Sequence, residues 1–515
     1  MKLNWRDPFF VLGLVLLWRL GLFLFTAQPI PSNDAFLFDG GVANWIKHGQ
    51  YVNHCLSQAF PISSGKVFSL YPPLYQVALL LWMLLFGAGT LSIMAMHLVM
   101  FFMGALMVVL IVRGFFPKGV QYGLAVAFLL ILTFNDRPED LAHILGLGSL
   151  WLVGRQISTP GKNLPVMLGL CLLLLLTLYT SIIVGAVYFG TGFIACAASW
   201  LHWRRIFLFI PFFAAAVLFF VIVLWVIEFH PLWWQGFLEN SHKTPAAEGF
   251  RIPNILDLIK LVRAAPVFLL ALAVFPWIYA RRKELPPETW LYLVVGAGVM
   301  GVTTLILSMT VISPNYVGYT HYLQIILAAG LLALVARLWP QGGTSLRVLL
   351  AVCLIVVSIR AVGMTTWGVA CAWKNSYGHT REELRTELAP FTTSDSPVMI
   401  SSAFLYSASE FGVRRPIHSD WYYDRALTAP DADYQGITSL RPTKLVLTQF
   451  DYYRGFIEIL NQLRQHPDLV SVRVRDLSAM RTPDSIPSLQ RVIQHVSWAP
   501  VIVDLDWKTL PALGR

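Results

Sequence analysis

Apolar and polar stretches alternate along this chain at the spacing of membrane crossings. The first apolar run, 9–27, is long enough at 1.5 Å per residue to cross a hydrocarbon core of roughly 30 Å. Further runs fall at 91–112, 119–134, 141–155, 164–179, 181–200, 206–227, 264–280, 289–312, 321–338 and 347–367. Together they predict about eleven transmembrane helices, of which 119–134 and 141–155 are short and call for tilt or local bilayer thinning. The run 74–87 has only fourteen residues, a length that suits a helix lying at the interface better than one that spans.

Beyond 367 the pattern changes. Residues 368–515 are polar, with Pro and Asp punctuation and no long apolar run. Short β-branched runs at 398–401, 444–448, 470–474 and 501–503 alternate with a helical stretch near 456–465, the mixture expected of a small soluble α/β domain. Thr380 followed three residues on by Glu383 reads as a capping box opening a helix. The predicted fold is therefore mainly α and polytopic, with a transmembrane unit over 1–367 and a soluble α/β domain over 368–515.

Composition agrees. Of the 515 residues, 56% are hydrophobic and 13% charged, and the mean hydropathy of +0.62 excludes a soluble globule. The net charge of +10 does not signal nucleic acid, because the excess sits in short loops between apolar runs. Taking 74–87 as non-spanning puts Arg113, Lys118, Arg155, Lys162, Arg204, Arg205, 281–283, Arg337 and Arg347 on the side of Lys2 and Arg6. The positive-inside bias makes that side cytoplasmic. The external pieces are then 28–90, 135–140, 230–263 and 313–321, and the C-terminal domain is external too. For a bacterial-type chain this means a multi-pass inner-membrane protein with a cytoplasmic N-terminus and a periplasmic C-terminal domain. Five scattered cysteines make no disulfide framework or zinc motif; Cys55 and Cys371 alone fall on the same external side and admit a pairing.

Candidate chemistry collects in the external loops. Residues 32–51 follow the first span and carry Asp34 and Asp39; the same loop holds Lys66 and ends in 70–75, Leu-Tyr-Pro-Pro-Leu-Tyr. Arg137-Pro138-Glu139-Asp140 forms the next external turn, and 315–323, Asn-Tyr-Val-Gly-Tyr-Thr-His-Tyr-Leu, forms the tip before a late span. In these positions Asp34, Gly49-Gln50-Tyr51, Pro72-Pro73-Leu74 and the Arg137–Ala142 stretch resemble the GT-C fold polyprenyl-phosphate-dependent glycosyltransferases. That group includes protein mannosyltransferases and lipid A aminoarabinose transferases. The resemblance covers residues 10 to 155 best and the rest in general layout. It departs from the group's Asp-Glu pair, since Ala35 follows Asp34, and Glu139 stands where many members have Asp.

The resemblance implies an inverting transfer of sugar from a polyprenyl phosphate to an acceptor on the external face. A carboxylate then deprotonates the acceptor as the sugar passes through an oxocarbenium-like state. Asp34 is the implied base, and Asp39 or Glu139 a second carboxylate that orients the acceptor or binds a divalent cation. The leaving phosphate calls for cations; Lys66, Arg137, Lys243, Arg251, Lys260 and Arg263 are external candidates. Tyr71, Asp140, Tyr319 and His321 complete the expected substrate-binding set. The partners implied are a polyprenyl-phosphate-linked sugar, a lipid, glycan or protein acceptor, and the membrane.

Plainer roles compete for the same residues. Asp39 followed by Gly40-Gly41 also reads as a turn, Glu139 and Asp140 as acids favoured by a helix N-terminus, and Trp233-Trp234 as aromatic belt. Arg19 and Arg360 lie inside apolar runs with no evident partner. A transporter or flippase would place acids inside the spans in two related halves, whereas these spans are nearly free of them. A non-catalytic assembly protein would leave Asp34 and Glu139 replaceable.

Overall fold

A computed structural model describes residues 7–27, 31, 35–57, 60–69, 71–115, 139–158, 161–203, 205–243, 322–327, 330–331, 369–419, 429–478 and 498–508. Its first helix, α1, spans Pro8–Thr26, with the Asp7 side chain accepting the Phe9 N–H at its start. In the first loop α2 covers Ala35–His48, and Gly49 ends it in the left-handed conformation, φ 70°, which glycine adopts at little cost. Helix α3, Pro73–Phe86, starts on its prolines as the Pro-Pro-Leu pattern predicts. Then come α4, Thr90–Phe115, α5, Glu139–Ser158, α6, Leu164–Thr180, and α7, Ile182–Trp203. A 3₁₀ turn at Ile206–Phe209 runs into α8, Ile210–Phe229, and α9 covers Pro231–Lys243.

Three helical segments among the described residues are long and apolar enough to cross a membrane: Pro8–Thr26, Thr90–Phe115 and Ile206–Phe229. The larger number of crossings expected from the sequence falls partly on 119–134, 264–280, 289–312 and 347–367, which lie outside the described residues. Helix α3 has 14 residues, about 21 Å of rise, short of the hydrocarbon thickness. The Arg113 guanidinium at the end of α4 lies 4.8 Å from the Phe9 ring centre at the start of α1. Helices α1 and α4 are therefore antiparallel, as they must be if neither α2 nor α3 crosses between them. Arg155 packs over Trp151 at 4.7 Å, and Arg205 donates to the Ile157 carbonyl at 3.1 Å, so arginines gather at one end of the bundle. Arg19 finds its partner in the Phe101 ring, 5.7 Å away, a contact that eases a cation's cost inside an apolar layer.

The C-terminal region is α/β. Helix α10, Tyr377–Leu388, leads to strand β1, Val398–Ile400, then α11, Ser402–Phe411, β2, Pro416–His418, and α12, Ala429–Leu440. Strand β3, Lys444–Leu447, is followed by a turn at Gln449–Asp451, a π-helical stretch at Tyr452–Phe456 and α13, Ile457–Leu463. Strands β4, Leu469–Asp476, and β5, Val501–Trp507, complete a sheet ordered β2-β1-β3-β5-β4. The first three strands are parallel, with Met399 opposite Ile417 and Leu445; β5 is antiparallel to both β3 and β4. Strand β1 is buried at every residue, as a central parallel strand covered on both faces must be.

Three sequence expectations change. The capping box at Thr380 is replaced by a helix that starts at Tyr377 behind Ser376; Thr380 sits inside it and donates back to the Ser376 carbonyl at 3.2 Å. Cys55 and Cys371 are free thiols, with Cys371 buried. Asp39-Gly40-Gly41 is not a turn but mid-helix in α2. A Cβ on Gly40 would meet Asn53 at 2.2 Å and one on Gly41 the Phe68 ring at 2.3 Å, so both glycines serve close packing of the first loop.

One buried cluster joins the first loop to the C-terminal region: Phe36, Phe38, Val42 and Tyr75 pack with Tyr377, Phe404, Tyr406 and Trp498. Within the C-terminal region, Glu387 of α10 takes a bidentate pair from Arg475 at 2.7 and 2.9 Å and also accepts from Lys444, while Asp504 holds the same two cations. The hydrogen bonds of Arg475, and after them Lys444, lower the Glu387 carboxyl from near 4.5 to about 2. A carboxyl depressed on folding contributes stability that is complete above its unfolded pKa and is lost as pH falls towards the folded one. Thermal unfolding of the C-terminal region should therefore come at lower temperature as pH drops from 5 through 3. In Glu387→Gln that slope should flatten, at a cost at neutral pH of about 1–2 kcal/mol.

Candidate active site

The two tyrosines of 70–75 hold two of the four acids that the sequence marks, Glu139 and Asp39. Tyr71 precedes α3 and Tyr75 lies on its first turn. The Tyr71 hydroxyl donates to Glu139 Oε1 in a short hydrogen bond and lies 3.4 Å from Ser181 Oγ. The Tyr75 hydroxyl donates to Asp39 Oδ1 at 2.8 Å. The Phe38 ring, next to Asp39, packs edge-on against Tyr71 with centroids 4.7 Å apart. The acid-bearing loop and the start of the helix Glu139–Ser158 thus meet at the start of α3, at the end of the bundle opposite the arginines.

Glu139 and Asp140 open α5 in its first turn and are both buried, where the helix N-terminus favours negative charge. One turn further, His143 is hydrogen-bonded to the Tyr188 hydroxyl at 3.0 Å and packs 5.0 Å from the Tyr322 ring. Gly146 lets Tyr188 lie against α5, since a Cβ there would meet its ring at 2.3 Å. Asp140 lies within electrostatic reach of both tyrosines. Asp39 is fully buried, its oxygens taking the hydroxyls of Tyr75 and Tyr406, with His97 Nε2 3.7 Å away.

Next to this polar layer lies an apolar groove of about 430 Å³. Leu178, Phe219, Val223 and the aromatics Trp225, Trp233 and Trp234 line it. Its wall includes Pro72, beside Tyr71, and Ile182, beside Ser181, so it adjoins the Tyr71–Glu139 pair. Helix α9 is fastened to the first loop by Glu239, whose Oε2 accepts from the Ile62 and Ser63 amides at 3.1 and 2.8 Å and from Ser63 Oγ at 2.9 Å. Gly236 permits that approach, a Cβ there falling 2.2 Å from Ser69 Oγ.

Of the residues expected from the sequence, Asp39, Glu139, Asp140 and Tyr71 are brought together. Lys66 is exposed at the loop tip beside Val67, a groove residue. Lys243 ends α9. Asp34, Arg137, Arg251, Lys260, Arg263, Tyr319 and His321 lie outside the described residues. Among the described residues no group of three or more His, Cys, Asp or Glu is placed to hold a metal ion, and Asp39 offers its oxygens to phenols. Sequence reading missed Tyr75, His97, His143, Tyr188, Glu239 and Tyr406. The four-residue step from Tyr71 to Tyr75 and a histidine inside the 91–112 run were the available signals for two of them.

The architecture is that of a transmembrane protein of the GT-C fold. Similar solved structures include those of ArnT from Cupriavidus metallidurans. The apo crystal structure matches with a TM-score of 0.51 over 95% of this chain and 97% of that one, and the structure bound to undecaprenyl phosphate with 0.50 over 95% and 98%; identity is 14% in both. At this identity the likeness establishes the fold. No protein-family model matches the sequence, and no curated protein matches it.

Proposed function

We propose that this chain is an inverting membrane glycosyltransferase that moves a sugar from a polyprenyl-phosphate donor to an acceptor on the external, periplasmic face. The observation that carries the reading is the apolar groove ending beside a buried layer of carboxylates and phenols, in a fold that in ArnT accommodates undecaprenyl phosphate. An isoprenoid tail needs such a wall. Its phosphate-bound sugar would then lie against the acids.

Asp34, one residue ahead of α2, is the proposed base. It takes the acceptor proton while the acceptor atom bonds the anomeric carbon; the bond from that carbon to the phosphate oxygen breaks, and its electrons leave with the polyprenyl phosphate. The phosphate departs as an anion, so Lys66, Arg137, Lys243, Arg251, Lys260 and Arg263 are proposed to neutralise it rather than protonate it. Glu139, fixed by Tyr71, orients the acceptor. Asp39, enclosed on all sides, holds the framework instead of meeting substrate. Transport is disfavoured because Asp39, Glu139 and Asp140 gather at one end of the bundle rather than along a path through it.

Three tryptophans line the groove, so lipid entry has its own signal. Undecaprenyl phosphate added to the purified chain should quench tryptophan fluorescence saturably. A charge placed in the wall by Val223→Asp should weaken that binding about tenfold or more. Equal binding by both proteins would refute the groove as the donor-lipid site.

A further inference from the structure

The C-terminal region holds the end of α1 and the start of α2, the described residues that precede and follow the proposed base in sequence. Upstream, the Trp498 indole N–H donates to the carbonyl of Ala27, the residue that caps α1, at 3.2 Å. Downstream, the Tyr406 hydroxyl of α11 donates to Asp39 Oδ2, and the Tyr406 ring packs edge-on against Phe36 with centroids 5.1 Å apart. Trp498 and Tyr406 both belong to the buried cluster shared with the first loop. From the membrane side, Tyr75 of α3 donates to the other oxygen of Asp39, His97 of α4 faces it, and Gln76 donates to the Phe38 carbonyl at 2.7 Å. Asn53 donates to the Phe36 carbonyl at 3.0 Å. Helix α2 is thus fastened through three of its first five residues.

A buried carboxylate is tolerated only when its oxygens are hydrogen-bonded, and each such bond is directional. Asp39 is therefore a rigid joint between two regions 367 positions apart in sequence. The joint sits five residues after Asp34 in sequence, in the first half of α2.

We infer that Tyr406 and Trp498 are positioning residues. By gripping Asp39 and Ala27 they fix the segment that carries the base, and the C-terminal region is a working part of the catalytic unit as well as its cover. The inference rests on the proposed function for its catalytic consequence and on geometry alone for the grip. A second contact between the same two regions supplies the control: Glu410 of α11 accepts from the Thr90 amide and hydroxyl at the start of α4 and lies within electrostatic reach of Lys47 in the last turn of α2, at the other end of that helix from Asp39.

The test uses the full-length chain in nanodiscs and compares Tyr406→Phe, Trp498→Phe and Glu410→Gln. Two quantities are measured: amide hydrogen exchange across residues 35–48, and the single-turnover rate constant with enzyme in excess of an undecaprenyl-phosphate sugar. With folded enzyme at saturating excess, that rate constant is independent of the folded fraction. Tyr406→Phe should speed exchange over 35–48, and both aromatic variants should slow transfer about five- to tenfold. Glu410→Gln, which reaches only the last turn of α2, should leave turnover and exchange over 35–41 at wild-type values.

If α2 exchange and turnover in the aromatic variants match wild type, the inference is overturned. It is equally overturned if Glu410→Gln slows turnover as much as they do, since domain docking alone would then explain the loss. A folded wild-type chain that transfers nothing rejects the proposed function and the catalytic consequence with it; faster α2 exchange in Tyr406→Phe would still establish the grip.

Discussion

Asp34→Asn is expected to lower sugar transfer by about 10³-fold, within the range that loss of a general base produces, while the chain still inserts and binds donor lipid. The amide keeps the size and polarity of the carboxylate and removes its capacity to accept a proton, so donor affinity should change less than threefold or so. The acid stands one residue before α2, a helix held by Asn53, Gln76, Tyr75 and Tyr406. Asp39, the neighbouring carboxylate, is fully buried and already engaged by two phenols, so the proposal puts the base at Asp34 instead. If Asp34→Asn retained wild-type turnover, another group would have to be the base, and Glu139 would be the next to examine.

The second large effect is expected at the Tyr71–Glu139 pair. Glu139→Ala should reduce turnover about 100-fold, and Tyr71→Phe three- to tenfold, because the phenol acts only by fixing the carboxylate. Acting as a unit, the two should be non-additive: in Glu139→Ala the further change Tyr71→Phe should cost almost nothing. A double-mutant cycle on single-turnover rates measures this. Strict additivity would mean that Tyr71 and Glu139 serve separate purposes and that their hydrogen bond is incidental to catalysis.

Legibility differed between the two halves of the molecule for physical reasons. In the membrane half, hydropathy and prolines carry strong signals: α1, α3 and α4 begin and end within two or three residues of the runs read from the pattern. The acids of the second turn were marked by Arg137-Pro138-Glu139-Asp140, and they open α5 as such a sequence should. For Asp39 the sequence leaves a turn open beside a catalytic role, because Gly40-Gly41 usually breaks helices; the reason for two glycines, the close passage of Asn53 and Phe68, is tertiary and leaves no trace in local sequence.

In the C-terminal half, four strands were legible from β-branched runs, whereas β2 is three residues beginning with proline, too short to show alternation. Ser376, not Thr380, stands at the start of α10, a choice made by packing rather than by the capping pattern. The bond from Tyr406 to Asp39 could not be read at all. Nothing near residue 406 distinguishes that tyrosine from the other buried aromatics of an α/β region until the two regions are seen to share a core.

The claim at the centre of this account is that the chain breaks the bond between a sugar and polyprenyl phosphate. The direct measurement incubates the purified wild-type chain in nanodiscs with a panel of undecaprenyl-phosphate sugars, pentose and hexose, together with a cell-envelope acceptor extract, and follows free undecaprenyl phosphate by mass spectrometry. The account predicts acceptor-dependent release from at least one donor, with the sugar recovered on the acceptor in inverted configuration. Every donor remaining intact, while the same preparation binds undecaprenyl phosphate, would contradict it.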